Sequence, residues 1–463
     1  MPGARLLAVI GGAYSLAVSV VFTLVVTRRL PTPELALLSI FNTGLAVALS
    51  ILNYVTAWYP RILAREPWRF EELAGAGTVA ALAAWAALAA YLAIYGVLDL
   101  PVLAAGLALL ILNAWPAGAY LSIHRQRLAA ALGYVGQTVK LGGAFVVRQF
   151  PTVEAALLVN VAMSLPSLFA KRAGIRLSAA LRAFRGVAAG APYQTLYVAA
   201  AAAWSALTYA AFLAGGDRLL SYHYILFQIS KAVYPALTIV PLMYGSLLVE
   251  SDKLRRALLD GAALLYLYLI PAAVMAKSPD WFLALLRPAE LGNTELVEAV
   301  RLNGIALLLS GIFLHVDTTL RGAEDRSIFT LRDRPAKALM LDVVNSAAAA
   351  LIVYVLAKAA GAPGMVIGFA ISLAAAAGYR LWLLGYTKLL TELYLPAALA
   401  LGLVYALPLP LMPYSTGNLL ETVATYIPNA AILTLATSAP LLLSPPTRQA
   451  AALLLRRYLH AGG

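Results

Sequence analysis

Long apolar segments recur along the whole of this 463-residue chain, and they constrain its fold more than any other feature. Fourteen can be marked, at residues 5–27, 35–59, 74–96, 98–123, 129–149, 153–170, 187–213, 219–249, 257–276, 303–319, 340–359, 362–383, 389–410 and 425–444. Their lengths centre on roughly 20 residues, the length with which a helix crosses the hydrocarbon of a bilayer. Because hydrocarbon offers no water to backbone N–H and C=O groups, such segments must be helical. The sequence therefore predicts an all-α polytopic membrane protein with fourteen transmembrane segments.

The composition supports this prediction. Hydrophobic residues make up 62% of the chain and charged residues 12%, against about 25% charged residues in an average soluble domain. A soluble fold cannot cover its surface with so little charge. The chain has no cysteine, so disulfides and thiolate metal sites are excluded. The four histidines lack the spacing of metal-binding motifs, and we predict neither a metal site nor a cofactor.

The basic residues predict which way the chain crosses the membrane. With the N-terminus on one side, 24 of the 34 Lys and Arg residues, Arg380 among them, fall on that side. The opposite side receives only Arg28, Arg29, Arg148, Arg218, Lys277, Arg287, Arg301 and Lys358. Short loops rich in Lys and Arg stay in the cytoplasm. We therefore expect a multi-pass protein of the cytoplasmic (plasma) membrane with both termini cytoplasmic.

The same residues bear on partners. A net charge of +13 is compatible with nucleic-acid binding, but here the charges lie in short loops, where they meet anionic head groups. We predict membrane lipids as partners and no nucleic acid.

Three short matches indicate an internal repeat. AWYPRILARE at 57–66 resembles LMYGSLLVES at 242–251, HRQRLAAAL at 124–132 resembles LRDRPAKAL at 331–339, and VNVAMSL at 159–165 resembles IGFAISL at 367–373. They pair segments 2 and 8, the loops after segments 4 and 10, and segments 6 and 12. Repeats of six helices share one orientation, so we expect two parallel six-helix lobes around a central cavity. The predicted divisions are an N-lobe at 1–186, a C-lobe at 187–385, and two extra helices with a short cytoplasmic tail at 386–463.

Four stretches carry a resemblance to a known family: TRRLPTPELALLSIFNTGL, YLSIHRQRLAAALGYVGQTVKLGGAFVV, LLRPAELGNTELVEAVRLNGIALLLSGI and GAPGMVIGFAISLAAAAGYRLWLL. They resemble polysaccharide-transporter flippases of the multidrug/oligosaccharidyl-lipid/polysaccharide exporter superfamily, over nearly the whole chain. The resemblance implies a non-enzymatic protein that moves lipid-linked sugars by alternating access between two lobes.

Two lysines cannot be assigned to loops. Lys140 lies in segment 5 and Lys231 in segment 8, about 16 Å along the helix from Ala129 and about 14 Å from Tyr222 at about 1.5 Å per residue. An ammonium at that depth costs about 2.5–3.5 kcal/mol and faces the bundle interior or a water-filled cavity. Binding of an anionic head group is one interpretation. A structural role, in which the lysine caps carbonyls or pairs with a carboxylate, is the other.

Polar residues share faces with these lysines. Tyr224, Gln228, Lys231 and Tyr234 recur at spacings of three and four, and the matching region of segment 2 carries Asn42, Thr43 and Asn53. Together with Gln137 beside Lys140, they are the predicted substrate-binding residues. The alternative is that small and hydroxylated residues mark helix contacts.

Charges near the segment ends are weaker candidates. Arg28, Arg29 and Arg148 lie at predicted outer ends, as gate cations or as side chains that reach lipid head groups. Asp317 and Arg321, four residues apart, form an inner latch or an ordinary ion pair. Asp342 is a candidate ion ligand or a cytoplasmic cap.

These features together favour a flippase or exporter for a polyprenyl-phosphate- or pyrophosphate-linked sugar or polysaccharide precursor, working beside glycosyltransferases or a polymerase of the same pathway. Two alternatives remain open. A multidrug or cation antiporter of the same superfamily would favour acidic residues at mid-membrane. A membrane-embedded glycosyltransferase would need large loops with carboxylates for a metal or a base.

Overall fold

The fold is given by a computed structural model, which describes residues 2–170, 177–187, 190–233, 251–324, 329–411, 419–441 and 444–449, with isolated residues elsewhere. The described residues form helices joined by short turns and include no β-strand. The long helices are α1 (Pro2–Arg29), α2 (Thr32–Thr56), α3 (Phe70–Ile94), α4 (Leu100–Ala114), α5 (Gln126–Gln149), α6 (Val153–Ser164), α7 (Ala191–Ser230), α8 (Lys253–Lys277), α9 (Thr294–Ala323), α10 (Arg334–Leu384), α11 (Leu395–Ala406) and α12 (Leu419–Leu441). Shorter helices cover Tyr59–Arg65, Ala117–His124, Leu177–Val187 and Pro279–Leu286.

Eight helices of the described chain are long and apolar enough to span a membrane, which confirms the predicted all-α polytopic class. Two of these helices cover more than one predicted segment: α7 covers segment 7 and the first part of segment 8, and α10 covers segments 11 and 12. α7 breaks at Gly215 and Gly216, and α10 at Gly361. Gly216 has φ 59° and Gly361 φ 62°, backbone angles that a Cβ penalises. Glycine therefore permits the break in each helix, and in α10 the contact of Asn345 with Ser372 shows that the chain turns back on itself there.

The chain forms two compact units, residues 1–208 and 209–463. In the first unit, α1 packs on α5, α2 on α3, α3 on α4, and α6 on both α4 and α5. In the second, α8 packs on α9 and α9 on α10. The inner side chains of Asn345 and Ser372 join the two halves of α10. The predicted lobe boundary at 186 and 187 stays a prediction.

The repeat match at 124–132 and 331–339 has a structural counterpart. α5 begins at Gln126 and α10 at Arg334, so each copy of the match opens a long helix at nearly the same position. The match of 57–66 with 242–251 lies partly outside the described residues.

A buried histidine connects α8 and α9 with the π-helical turn Leu390–Tyr394 that precedes α11. His315, on α9, is fully buried. In its neutral form, Nε2 donates to the carbonyl of Ala257 on α8 at 3.0 Å, and Nδ1 accepts from the hydroxyl of Tyr394 at 2.6 Å. Both ring nitrogens have partners within the protein, so His315 has a structural role.

Tyr59 plays a comparable part in the first unit. Its side chain is buried, and its hydroxyl lies 3.0 Å from the carbonyl of Leu73 and 2.9 Å from that of Ala114. Ala114 ends α4, and the chain leaves the helix at Trp115. A Cβ at Gly77 would lie 2.3 Å from the Tyr59 hydroxyl, so this glycine leaves room for the bond. Tyr59 thus supplies a donor to a helix end that its own backbone cannot satisfy.

We expect Tyr59→Phe to lower the free energy of unfolding by about 1–3 kcal/mol, because two buried carbonyls lose a shared donor. Thermal unfolding in detergent measures the change. Tyr197→Phe, at a tyrosine that is 39% exposed, is the control and should change little. Equal melting temperatures for the two variants would contradict the role given to Tyr59.

Candidate functional site

Lys140 belongs to α5 of the first unit, and its side chain contacts α1. Its Nζ donates to Ser19 Oγ at 3.1 Å and stands 5.3 Å from the ring centre of Phe22. Both partners belong to α1 and neither is charged. Among the residues that the structure describes, no carboxylate pairs with this ammonium. The predicted alternative, in which Lys140 pairs with an acid, is therefore not what the described residues form.

Further polar groups lie along the contact between α1 and α5. Tyr14 on α1 bonds Thr138 on α5 at 3.1 Å, and the Tyr14 ring packs 5.9 Å from that of Tyr134. Gln137, one turn before Lys140, has a buried side-chain carbonyl oxygen without a hydrogen-bond partner among the described residues. We call Ser19, Phe22, Gln137 and Lys140 the Lys140 site. It combines an ammonium with an amide oxygen that can accept a further hydrogen bond.

Glycines on α5 explain how this helix is held. A Cβ at Gly136 would lie 2.4 Å from the carbonyl oxygen of Met163, and one at Gly143 2.4 Å from a methyl carbon of Val159. α5 thus packs backbone-close against α6 and the turn that follows it, as small residues allow in membrane bundles. Its larger polar side chains then lie toward α1, where Lys140 finds Ser19.

Lys231 differs from its predicted setting in a continuous helix. The α-helix ends at Ser230, and Lys231–Val233 form a 3₁₀ turn. Proline at position 235 explains the change, because it has no N–H to donate to the carbonyl four residues earlier. The Lys231 Nζ lies 5.0 Å from the ring centre of Phe227. Gln228 and Tyr224 are buried on the preceding turns; Tyr234 lies outside the described residues.

The polar residues of α2 are largely satisfied locally. Thr43 donates to the Ser39 carbonyl at 2.9 Å, and Asn53 accepts from Thr56 at 3.1 Å. Asn42 is half-buried. The structure does not bring these three residues into contact with Lys140, and their role in binding stays a prediction.

The predicted gate arginines lie at helix ends. Arg28 and Arg29 close α1, Arg148 lies in the last turn of α5, and all three are exposed. Basic residues in a last turn complement the negative end of the helix dipole. Their proposed contact with a phosphate stays a prediction.

The largest correction concerns Arg380, which the charge distribution assigns to the cytoplasmic surface. The structure buries it to 1% exposure inside α10. Its Nη2 lies 2.5 Å from Asp342 Oδ2, its Nη1 donates to Asp342 Oδ1 at 2.7 Å, and its Nε donates to Asp317 Oδ1 at 2.9 Å. One guanidinium thus joins carboxylates from α9 and from the first half of α10.

Two further residues complete this group. Arg321 binds the second oxygen of Asp317, which confirms the predicted pair, and the Tyr379 hydroxyl donates to Asp342. Asp342 is not a helix cap, because α10 begins eight residues earlier and Asp342 is buried. We call Asp317, Arg321, Asp342, Tyr379 and Arg380 the Arg380 cluster. The only part of this cluster that the sequence analysis predicted is the pair of Asp317 and Arg321, from their spacing of four residues.

The described residues contain no group of three or more His, Asp or Glu side chains that could hold a metal ion. Charged or potentially charged side chains within the helices are found in the Lys140 site, at the Lys231 turn and in the Arg380 cluster.

Comparison with known proteins identifies the fold. No family model and no curated protein matches the chain. A solved inward-facing multidrug resistance MATE family transporter of the MOP superfamily matches with a TM-score of 0.57 at 16% identity, over 82% of this chain and 96% of that one. The lipid II flippase MurJ, in an inward closed conformation, matches with a TM-score of 0.59 at 9% identity, over 95% of this chain and 99% of that one.

A third solved structure is a MOP superfamily transporter from Pyrococcus furiosus Vc1 (DSM3638). It matches with a TM-score of 0.51 at 14% identity, over 84% of this chain and 95% of that one, and is described as having a binding pocket of reverse polarity that suggests a different function. All three neighbours are transporters or flippases. The predicted resemblance is confirmed at the level of the fold, and at these identities the substrate does not follow from it.

The unbonded oxygen of Gln137 generates a stability prediction. We expect Gln137→Met to leave the melting temperature unchanged or to raise it, because the substitution removes a buried polar atom that has no hydrogen-bond partner among the described residues. Asn345→Leu is the control, since the Asn345 amide donates to the Ser372 carbonyl and hydroxyl at 3.1 Å. It should lower the free energy of unfolding by about 1–3 kcal/mol. Thermal unfolding in detergent compares them, and equal destabilisation would contradict an unsatisfied Gln137.

Proposed function

We propose that this protein is a flippase that translocates a lipid-linked sugar, with a phosphate or pyrophosphate head group, across the cytoplasmic membrane by alternating access. The observation that carries the proposal is the Lys140 site. There an ammonium in the apolar interior is held by one hydroxyl and one aromatic ring.

The energetics of this lysine favour an anionic ligand. A buried charge is costly unless an opposite charge compensates it. Ser19 and Phe22 solvate the Lys140 ammonium only in part, and no carboxylate among the described residues pairs with it, so an arriving phosphate is attracted by a cation without a counter-ion. Lysine binds phosphate as a point charge. The free oxygen of Gln137 is suited to accept a hydrogen bond from a sugar hydroxyl.

The membrane setting fits an amphipathic substrate. A polyprenyl tail remains in the lipid while the sugar-phosphate head group passes through the protein. With the cytoplasmic side assigned by the basic loops, an inside-negative potential favours outward movement of an anion by about 2.3 kcal/mol per charge per 100 mV. Glycosyltransferases would supply such a substrate, and a polymerase would consume it.

The superfamily's other activity makes a different demand. A cationic drug would need an acidic group free to bind it, and Lys140 would repel it. Two interior acids of the second unit, Asp317 and Asp342, are already bound by arginine. These observations support the flippase over the multidrug antiporter.

We expect Lys140→Met to reduce translocation of a fluorescent polyprenyl-pyrophosphate sugar in proteoliposomes by about ten- to a hundred-fold. This is the loss expected for one charge-assisted contact worth about 1.5–3 kcal/mol. The measurement is the rate at which the labelled head group becomes accessible to a quencher on the opposite side.

Lys358→Met is the matched control. Lys358 also contacts an aromatic ring, that of Tyr354 at 5.5 Å, but it is exposed. Its loss removes the same charge from the surface and should leave the rate unchanged. An unchanged translocation rate in a folded Lys140→Met protein would contradict the proposal. Export of cationic dyes by the wild type would support the antiporter instead, and release of a new glycoside would support an enzyme.

A further inference from the structure

The Arg380 cluster contains two acids and two arginines, and its charges balance. Asp317 lies six residues before the end of α9, Asp342 eight residues after the start of α10, and Arg380 four residues before the end of α10. At about 1.5 Å per residue, all three lie roughly 6–12 Å from helix ends on the same side. The cluster therefore occupies one level of the second unit.

The geometry of the cluster is that of a filled cation site. Asp317 presents one carboxylate oxygen to Arg380 and Asp342 presents two. The Tyr379 hydroxyl donates to Asp342 and also accepts from Arg380 Nη1 at 3.0 Å. The ring of Phe313 covers the guanidinium, with its centre 4.5 Å from Cζ. Oxygen ligands from separate helices converge on one buried point, and a side chain of the same protein occupies that point.

Stability alone does not account for such an arrangement. Buried ion pairs can often be replaced by apolar groups at no cost. Ionisable residues inside transporter bundles commonly mark ion pathways. A cation that arrives and leaves during transport would need these carboxylates vacant at one stage of the cycle. Here the guanidinium of Arg380 is fixed on α10 and occupies both carboxylates, that of Asp317 on α9 and that of Asp342 on α10.

We propose that Arg380 is a tethered counter-ion, a permanent occupant of a place that could otherwise take a diffusible cation. Sodium ions and protons are then neither bound nor released at Asp317 and Asp342 while the protein works. The inference rests on the proposed function only in that the protein is a transporter. Without ion exchange at these two carboxylates, the membrane potential would act on transport through the charge of the anionic substrate.

Removing the guanidinium tests the proposal through stability rather than transport. Arg380→Met leaves Asp342 without its cation, and the site should then take up a sodium ion or a proton. We expect its melting temperature to rise by on the order of a few degrees with saturating sodium chloride, relative to choline chloride at equal ionic strength and mildly alkaline pH. In choline it should also rise on mild acidification.

The matched control is the double variant Arg380→Met/Asp342→Asn. It restores the charge balance, leaves the pair of Asp317 and Arg321 in place, and should behave like the wild type in both media. If the single variant does not fold, the yield of monodisperse protein is the second readout. Recovery in the double variant supports the tethered counter-ion, whereas equal loss in both overturns it.

Two other outcomes would overturn the inference. One is a folded Arg380→Met protein as indifferent to sodium and pH as the double variant. The other is a saturable sodium dependence of wild-type stability that Asp342→Asn abolishes. Neither measurement requires flipping, so failure of the lipid-linked sugar assay with Lys140→Met remains a separate result.

Discussion

The structure depends on one constraint: hydrocarbon supplies no hydrogen-bond partner to the backbone. Helices satisfy it internally, which is why they make up nearly all of the described chain. Where a helix breaks or ends, particular residues permit the break or satisfy the exposed backbone groups. Glycine at 216 and 361 supplies left-handed backbone angles, and Tyr59 brings a hydroxyl to the open end of α4. Proline at 235 coincides with the change to 3₁₀ geometry at Lys231.

The same low-polarity interior makes the treatment of charge informative. Interior charges occur in two contrasting settings, one with a counter-ion and one without a counter-ion among the described residues. In the Arg380 cluster, each carboxylate meets a guanidinium and the sum is neutral. At Lys140 a hydroxyl and a ring stand where a counter-ion would be expected. Compensated charge is closed to further ligands, whereas uncompensated charge attracts them. The contrast connects the proposed anion site with the proposed absence of ion exchange at Arg380.

The fold itself permits several activities, as its neighbours among drug transporters and a lipid flippase illustrate. Chemistry at particular side chains must therefore carry the functional argument. Local sequence predicted much of what is needed for it. The apolar segments located the helices, the depth count singled out Lys140 and Lys231, and a spacing of four predicted the contact of Arg321 with Asp317. The sequence placed Arg380 at the cytoplasmic surface, which is wrong, because its position near a segment end does not show which helices pack over it.

The sequence by itself determined the all-α membrane class and the positions where segment 7 gives way to segment 8 and segment 11 to segment 12, because hydrophobic length and glycine act over a few residues. Only the tertiary structure decided which charges are balanced. Arg380 meets Asp342 from 38 residues away and Lys140 meets Ser19 from 121 residues away. No periodicity encodes such pairs, since they arise when separate helices pack. The free energy of a buried charge depends on those neighbours, so the chemistry of both sites was fixed by packing rather than by local pattern.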